Sequence, residues 1–221
     1  MIKQKITTTT GFIHLCIPEK LHEVTLSQLI QMQSAPGLSD LQAISILCNT
    51  PLSELQNISN GNDLQAISTP LLNIVHQIKY LYKSDAVPQK VTFIIAGKPV
   101  EVNVMKNLSV EPAGAFMAAR EIIADEIAKY ITQHGEADWQ QNFNPSLQAC
   151  AQILAQYFYC RVTGKPYNEY AAAEFEEQVK QLPVTDALPI AKYFFLSYPN
   201  LSKPKTGCWH RLRRPWSSAP G

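Results

Sequence analysis

Charge is scarce in this chain. Asp, Glu, Lys and Arg make up 17% of its 221 residues, against about a quarter in an ordinary soluble domain. A weakly charged, polar surface repels itself little, which suits a protein that associates with others. Also missing is any apolar run of about 18 residues that would cross a bilayer, and any basic start leading into an apolar signal segment. No CxxC occurs, and the five cysteines (Cys16, Cys48, Cys150, Cys160 and Cys208) are odd in number. The first four sit in apolar runs, where a free thiol behaves as a small hydrophobe. The expectation is a soluble, intracellular protein with reduced thiols.

Chemistry-bearing patterns are equally sparse. The histidines His14, His22, His76, His134 and His210 stand at no helical metal-ligand spacing such as HxxxH. Cys208 and His210 supply only two ligands. Gly97-Lys98 lacks the glycine spacing and the following Ser or Thr of a phosphate loop. Glu174, Glu176 and Glu177 fall on the polar side of an amphipathic segment, which reads as a solvated face. No nucleophile, base and orienting group occur together. No cofactor and no metal are expected, and an enzyme is the least supported class.

What the sequence does contain is helix punctuation. Thr25 with Gln28, and Ser39 with Gln42, are capping boxes ahead of apolar faces. Thr50-Pro51 and Asn144-Pro145 read as caps followed by proline at the first helical position. Asp63 opens a long helix to about Tyr82, with a kink or break expected near Ser68 because of Pro70. Further helical patterns run from Ser109 or Glu111-Pro112 to His134-Gly135, from Asn144-Pro145 to Val162, over Tyr167 to Leu182, and from Thr185-Asp186 to Pro199. Met1 to Gly11, with four consecutive Thr, reads as a frayed start, Phe12 to Ile17 as a short strand, and Glu136 to Phe143 as a polar loop. The clear β signal is Val91 to Val104, two alternating runs joined at Gly97-Lys98, a hairpin. The fold class expected is mainly α, an α+β protein with a single β-hairpin at about 91–104. Its division is an N-terminal helical subdomain over 1–83, hairpin plus C-terminal helices over 84–201, and a tail over 202–221.

That tail differs in charge from the rest. It carries Lys203, Lys205, Arg211, Arg213 and Arg214 and no acid, so the remainder of a +1 chain holds 1 − 5 = −4. Three prolines, two glycines and no helical period mark a flexible basic segment. With Trp209 and Trp216 between the cations it has the composition of a nucleic-acid binder, and equally of a segment docking on an acidic protein surface. The acidic body disfavours nucleic acid. Lys203, Lys205, Trp209, Arg211, Arg213, Arg214 and Trp216 are the candidate partner-binding residues.

The order of landmarks resembles a known family. Phe93 to Val104 with Gly97-Lys98, Asn107-Leu108-Ser109 before a helix, Asn144-Pro145 with Leu147 to Phe158, Lys165-Pro166-Tyr167, Leu182-Pro183 and Phe194-Phe195 follow one another as they do in tail assembly chaperones of bacteriophages infecting gut Bacteroidetes. Thr25 to Leu55 is similar to the leading part of those proteins, so the likeness spans about residues 24–198. Val100 departs from it, where an aromatic is expected, and the basic tail has no counterpart. The resemblance implies a non-enzymatic chaperone of the host cytoplasm that coats the helical tape-measure protein, helps recruit tail-tube subunits and self-associates. A structural virion protein (neck, connector or tail-completion subunit) is the alternative, and a DNA-binding regulator using the tail is a third.

Overall fold

A computed structural model describes residues 1–35, 37–81, 86–105, 111–137 and 139–197. The elements are β1 (Ile2–Thr8), β2 (Gly11–Ile17), a 3-10 turn (Leu21–Glu23), α1 (Leu26–Ser34), α2 (Asp40–Cys48), α3 (Leu52–Leu55), α4 (Gly61–Leu81), β3 (Lys90–Ile95), β4 (Lys98–Asn103), α5 (Ala113–His134), α6 (Trp139–Asn142), α7 (Leu147–Thr163), α8 (Glu169–Glu174), α9 (Glu176–Val179) and α10 (Val184–Ser197). The protein is mainly α-helical.

The helix that organises the fold is α7. Leu147, Ala149, Cys150, Ala151, Ile153, Leu154, Ala155, Tyr157, Phe158 and Tyr159 are buried right around its circumference, the condition of a helix enclosed by others. It packs against α5, α10, α8, α9, α1 and β4. Ser146 caps its start, the hydroxyl accepting from Ala149 N–H at 3.2 Å. Helix α7 therefore begins two residues later than Asn144-Pro145 suggests, because a Ser side chain caps well and is placed to do so. Gly164 ends it at φ 66° and ψ 8°, its N–H bonded to the Cys160 carbonyl, a left-handed stop that glycine makes without strain. Tyr157, Phe158, Phe194 and Phe195 are fully buried; each such side chain contributes about 1.5–3 kcal/mol. One buried cluster takes in Ile6 and Leu15, Ile67 and Ile74, Ile123 and Ile127, and these aromatics.

The capping boxes form as expected, with Thr25 N–H donating to Gln28 Oε1 at 2.9 Å and Ser39 N–H to Gln42 Oε1 at 2.9 Å. Gln28 has a second function. It is 3% exposed, and its Nε2 donates to the carbonyls of Ile46 and Leu47 at 3.0 and 3.1 Å. The four last carbonyls of α2 are thereby all matched. Ser45 accepts from Thr50 N–H, Ile46 from Asn49 N–H and Gln28, Leu47 from Gln28, and Cys48 from the Thr50 hydroxyl. Thr50 thus serves the end of α2 and not the start of α3, which is preceded by Pro51 with no side-chain cap. The start of α1 is also stitched to the turn before α10: Leu26 N–H donates to Leu182 O at 2.9 Å, and Val184 N–H to Val24 O at 2.9 Å.

Several expectations are corrected. The start is not frayed, and the hairpin at 91–104 is not single: β1 pairs with β2, antiparallel, from Ile2↔Ile17 to Thr8↔Gly11. Ile6, Leu15 and Ile17 point into the core and Thr8 is also buried, so alternate Thr residues take the inward and turn positions of a strand pair. The strand β1 is held further by Thr9 N–H to Asn57 O at 2.8 Å and Ser59 N–H to Thr7 O at 3.3 Å. In the second hairpin the turn is Ala96-Gly97, with φ of 49° and 75°, and Ile95 pairs with Lys98. That register directs Val91 and Phe93, each 2% exposed, into the core; a one-residue slip would expose them. Burial sets the turn even though it forces alanine into a left-handed conformation.

Helix α4 runs unbroken through Pro70. Ile67, Leu71 and Ile74 are buried on both sides of the proline, so core packing carries the helix across the one missing hydrogen bond. The segment from Tyr167 to Leu182 forms two short helices, α8 and α9, that meet at Phe175 in place of one. Residues Trp139–Asn142 are helical in place of a loop, and α10 begins at Val184.

Candidate functional site

The candidate partner-binding residues Lys203, Lys205, Trp209, Arg211, Arg213, Arg214 and Trp216 lie outside the described residues. Among the described residues, no group of three or more His, Cys, Asp or Glu side chains could hold a metal ion, and no helix is long and apolar enough to cross a membrane. Burial pushes the Cys48 thiol up to about 11, and pushes Cys150 far above the ordinary thiol range, which leaves both poor nucleophiles at neutral pH. Glu176 and Glu177 both pair with Lys180, at 2.8 and 2.7 Å, and Glu176 also accepts from Gln148 Nε2 at 2.7 Å. Of the two, Glu176 ties α9 to α7.

A buried charge pair holds the other end of α7. Arg161 donates through Nε to Glu111 Oε1 at 2.7 Å and through Nη2 to the same oxygen. The Glu111 side chain is only 3% exposed. Arg161 also lies over the Tyr157 ring, 5.1 Å from its centre, and the Tyr157 hydroxyl donates to Met105 O at 2.9 Å while accepting from Met105 N–H at 2.6 Å. Every group here is matched within the fold, so the cluster anchors Met105 and Glu111 to α7. Breaking such a pair leaves an uncompensated buried charge.

The accessible concave surface runs along α5. Helices α5 and α7 are antiparallel: Gly114 at the start of α5 lies against Tyr167 just beyond α7, while Glu126 further along accepts from Ser146 N–H, the α7 cap, at 2.6 Å. Ala118, Glu121, Ile122, Asp125, Glu126, Lys129, Tyr130, Gln133 and His134 recur at three- and four-residue spacing, one stripe of α5. Facing them are Gln152 and Gln156 of α7 and Glu169 at one end, and Phe143, Asn144 and Pro145 at the other. The wider end holds about 630 Å³. From Ala118 to His134 the stripe is about 24 Å long at the helical rise of 1.5 Å per residue.

The wide end is aromatic. Phe143 meets Tyr130 at 5.3 Å, Trp139 at 5.7 Å and Phe195 at 5.7 Å between ring centres, and Tyr130 stacks on His134 at 4.4 Å. Along the rest, four carboxylates (Glu121, Asp125, Glu126 and Glu169) face one ammonium, Lys129. Phe143 and Phe195 are buried, so what the groove presents is Ile122 and Tyr130 beside a negative rim. Its residues do not stand out in the sequence. The signal that the sequence holds is the narrowness of the buried stripe of α5, which is Ala115, Ala119, Ile123 and Ile127; Ile122 and Tyr130, part of the apolar helical pattern, instead line the groove.

No protein-family model, curated protein or solved structure matches this chain.

Proposed function

We propose that the protein is a non-catalytic assembly factor that holds a helical partner, in the manner of the phage tail assembly chaperones it resembles, with the tape-measure protein as the partner coated before tail assembly. The observation that supports this reading is the α5–α7 groove, about 24 Å long by the helical rise, in which Ile122 and Tyr130 lie among carboxylate and amide groups. An amphipathic helix of about four turns laid in such a groove would bury its apolar face there. The place of action is then the host cytoplasm, with tail-tube subunits as further partners.

The test is co-expression with long helical proteins from the same gene neighbourhood, followed by size exclusion with light scattering. The expected result is a complex with several copies of this chain per partner, lost on Ile122→Arg, which places a bulky cation on the wall of the groove. A chain that elutes alone overturns the chaperone reading. Its recovery from purified particles by mass spectrometry would then assign it to the virion.

A further inference from the structure

We infer that the basic segment Ser202 to Gly221 docks in cis along the α5–α7 groove, with its cations on the carboxylate rim. The inference concerns the groove just described and rests on its being a binding surface, but not on the identity of any partner.

Three observations converge on this occupant. The first is charge. The groove presents Glu121, Asp125, Glu126 and Glu169 against Lys129, a balance of 1 − 4 = −3, while the segment carries five cations and no acid. The second is where the described chain ends. Helix α10 finishes at Ser197, and Phe195, two residues earlier, packs on Phe143 in the wall of the groove's wide end. The last described residues of the chain therefore lie beside the groove. The third is reach. Lys203 is six residues beyond Ser197, at most about 20 Å, and Arg214 is seventeen residues beyond it, at most about 60 Å. A groove of about 24 Å lies well inside that range, even for a chain far from fully extended.

The chemistry on the two sides matches. Arg211, Arg213 and Arg214 can pair with carboxylates through two parallel N–H donors and can stack on an aromatic face such as Tyr130. Trp209 and Trp216 supply apolar area for the Ile122 and Tyr130 surfaces. Because Glu121, Asp125 and Glu169 are at least partly exposed, the attraction is screened by salt, with a Debye length of about 10 Å at 0.1 M. Occupation in cis makes the groove self-covered until a partner displaces the segment.

The experiment is zero-length carbodiimide cross-linking of the full chain, which joins a lysine amine to a carboxylate only when they touch, read by peptide mass spectrometry. An equal mixture of ¹⁴N and ¹⁵N protein separates links within one copy from links between copies. The expected result is Lys203 or Lys205 joined to Glu121, Asp125 or Glu169 within one copy. The yield should fall at least several-fold in 1 M salt and in the Glu121→Gln/Asp125→Asn variant. Links spread evenly over carboxylates remote from the groove, such as Glu54 and Glu101, would overturn the inference, and so would links found only between copies. Should the double variant misfold, the salt series on the unaltered chain tests the same contact. Intact cross-links with no helical partner would sink only the chaperone reading, whereas partner binding without cross-links would sink only the docked tail.

Discussion

Replacing Gln28 with alanine removes one side chain that serves two helices. The Thr25 N–H loses its acceptor, and the Leu47 carbonyl loses its donor inside the protein, while Ile46 O keeps the Asn49 N–H at 3.3 Å. One buried carbonyl left unmatched costs about 1–3 kcal/mol, and half of a capping box about 0.5–1 kcal/mol. We therefore expect Gln28→Ala to lose about 1.5–4 kcal/mol, a large share of a typical stability of about 5–15 kcal/mol. Urea unfolding followed by far-UV circular dichroism measures it as a fall in midpoint at constant slope.

Gln28→Glu separates the two functions. A carboxylate can still accept from Thr25 N–H, but its second oxygen now faces two carbonyl oxygens where an NH₂ group stood. That raises the folded-state pKa of the new carboxyl above its unfolded value of about 4.3. The variant then loses stability as pH rises from the unfolded pKa to the folded one and keeps the full deficit above both. The alanine variant should show no such pH dependence relative to the wild-type chain. A Gln28→Ala protein within about 0.5 kcal/mol of wild type, the scatter of inert surface changes, would show that this amide does not join α1 to α2. A Gln28→Glu deficit that is the same at pH 4 and pH 7 would show that its Nε2 does not matter to the α2 carbonyls.

Three further outcomes follow from local geometry. Ala96 is exposed at φ 49°, so Ala96→Gly should raise stability by about 0.5–1 kcal/mol in the same unfolding assay, relief of left-handed strain outweighing the extra freedom of the unfolded chain. Gly114→Ala, a change that favours an isolated helix by about 1 kcal/mol, should here destabilise by about 1–3 kcal/mol. The added methyl would lie 2.6 Å from Tyr167 Cε1 and would dislodge a ring whose hydroxyl donates to Gln156 Oε1 at 2.7 Å; Gly114→Ala/Tyr167→Val should recover most of the clash. The Glu23 carboxyl is held down at about 2, chiefly by the Met1 ammonium and then by the Glu19 N–H. A lowered pKa gives stability that is complete above the unfolded value and lost as pH falls from about 4.5 towards about 2, so Glu23→Gln should flatten that part of the acid-unfolding curve.

Local chemistry was legible in the sequence wherever a few neighbouring residues decide the structure. Thr25 with Gln28 and Ser39 with Gln42 cap the helices that their spacing announces, Gly164 stops α7, and the alternation from Val91 to Val104 makes a hairpin. Each depends on hydrogen bonds or sterics within a few residues. Where distant segments compete for the same groups, the tertiary structure decided. Burial of Val91 and Phe93 moved the hairpin turn to Ala96-Gly97, and Asn57 to Ser59 helped to hold Met1-proximal residues in a strand that composition alone describes as frayed. Core packing on both sides of Pro70 kept α4 whole, and Gln28 reached across to helix α2. The groove belongs to this second kind. Its α5 stripe is visible in the sequence only as polar and half-apolar positions, and it becomes one wall of a groove because α7 lies antiparallel beside it.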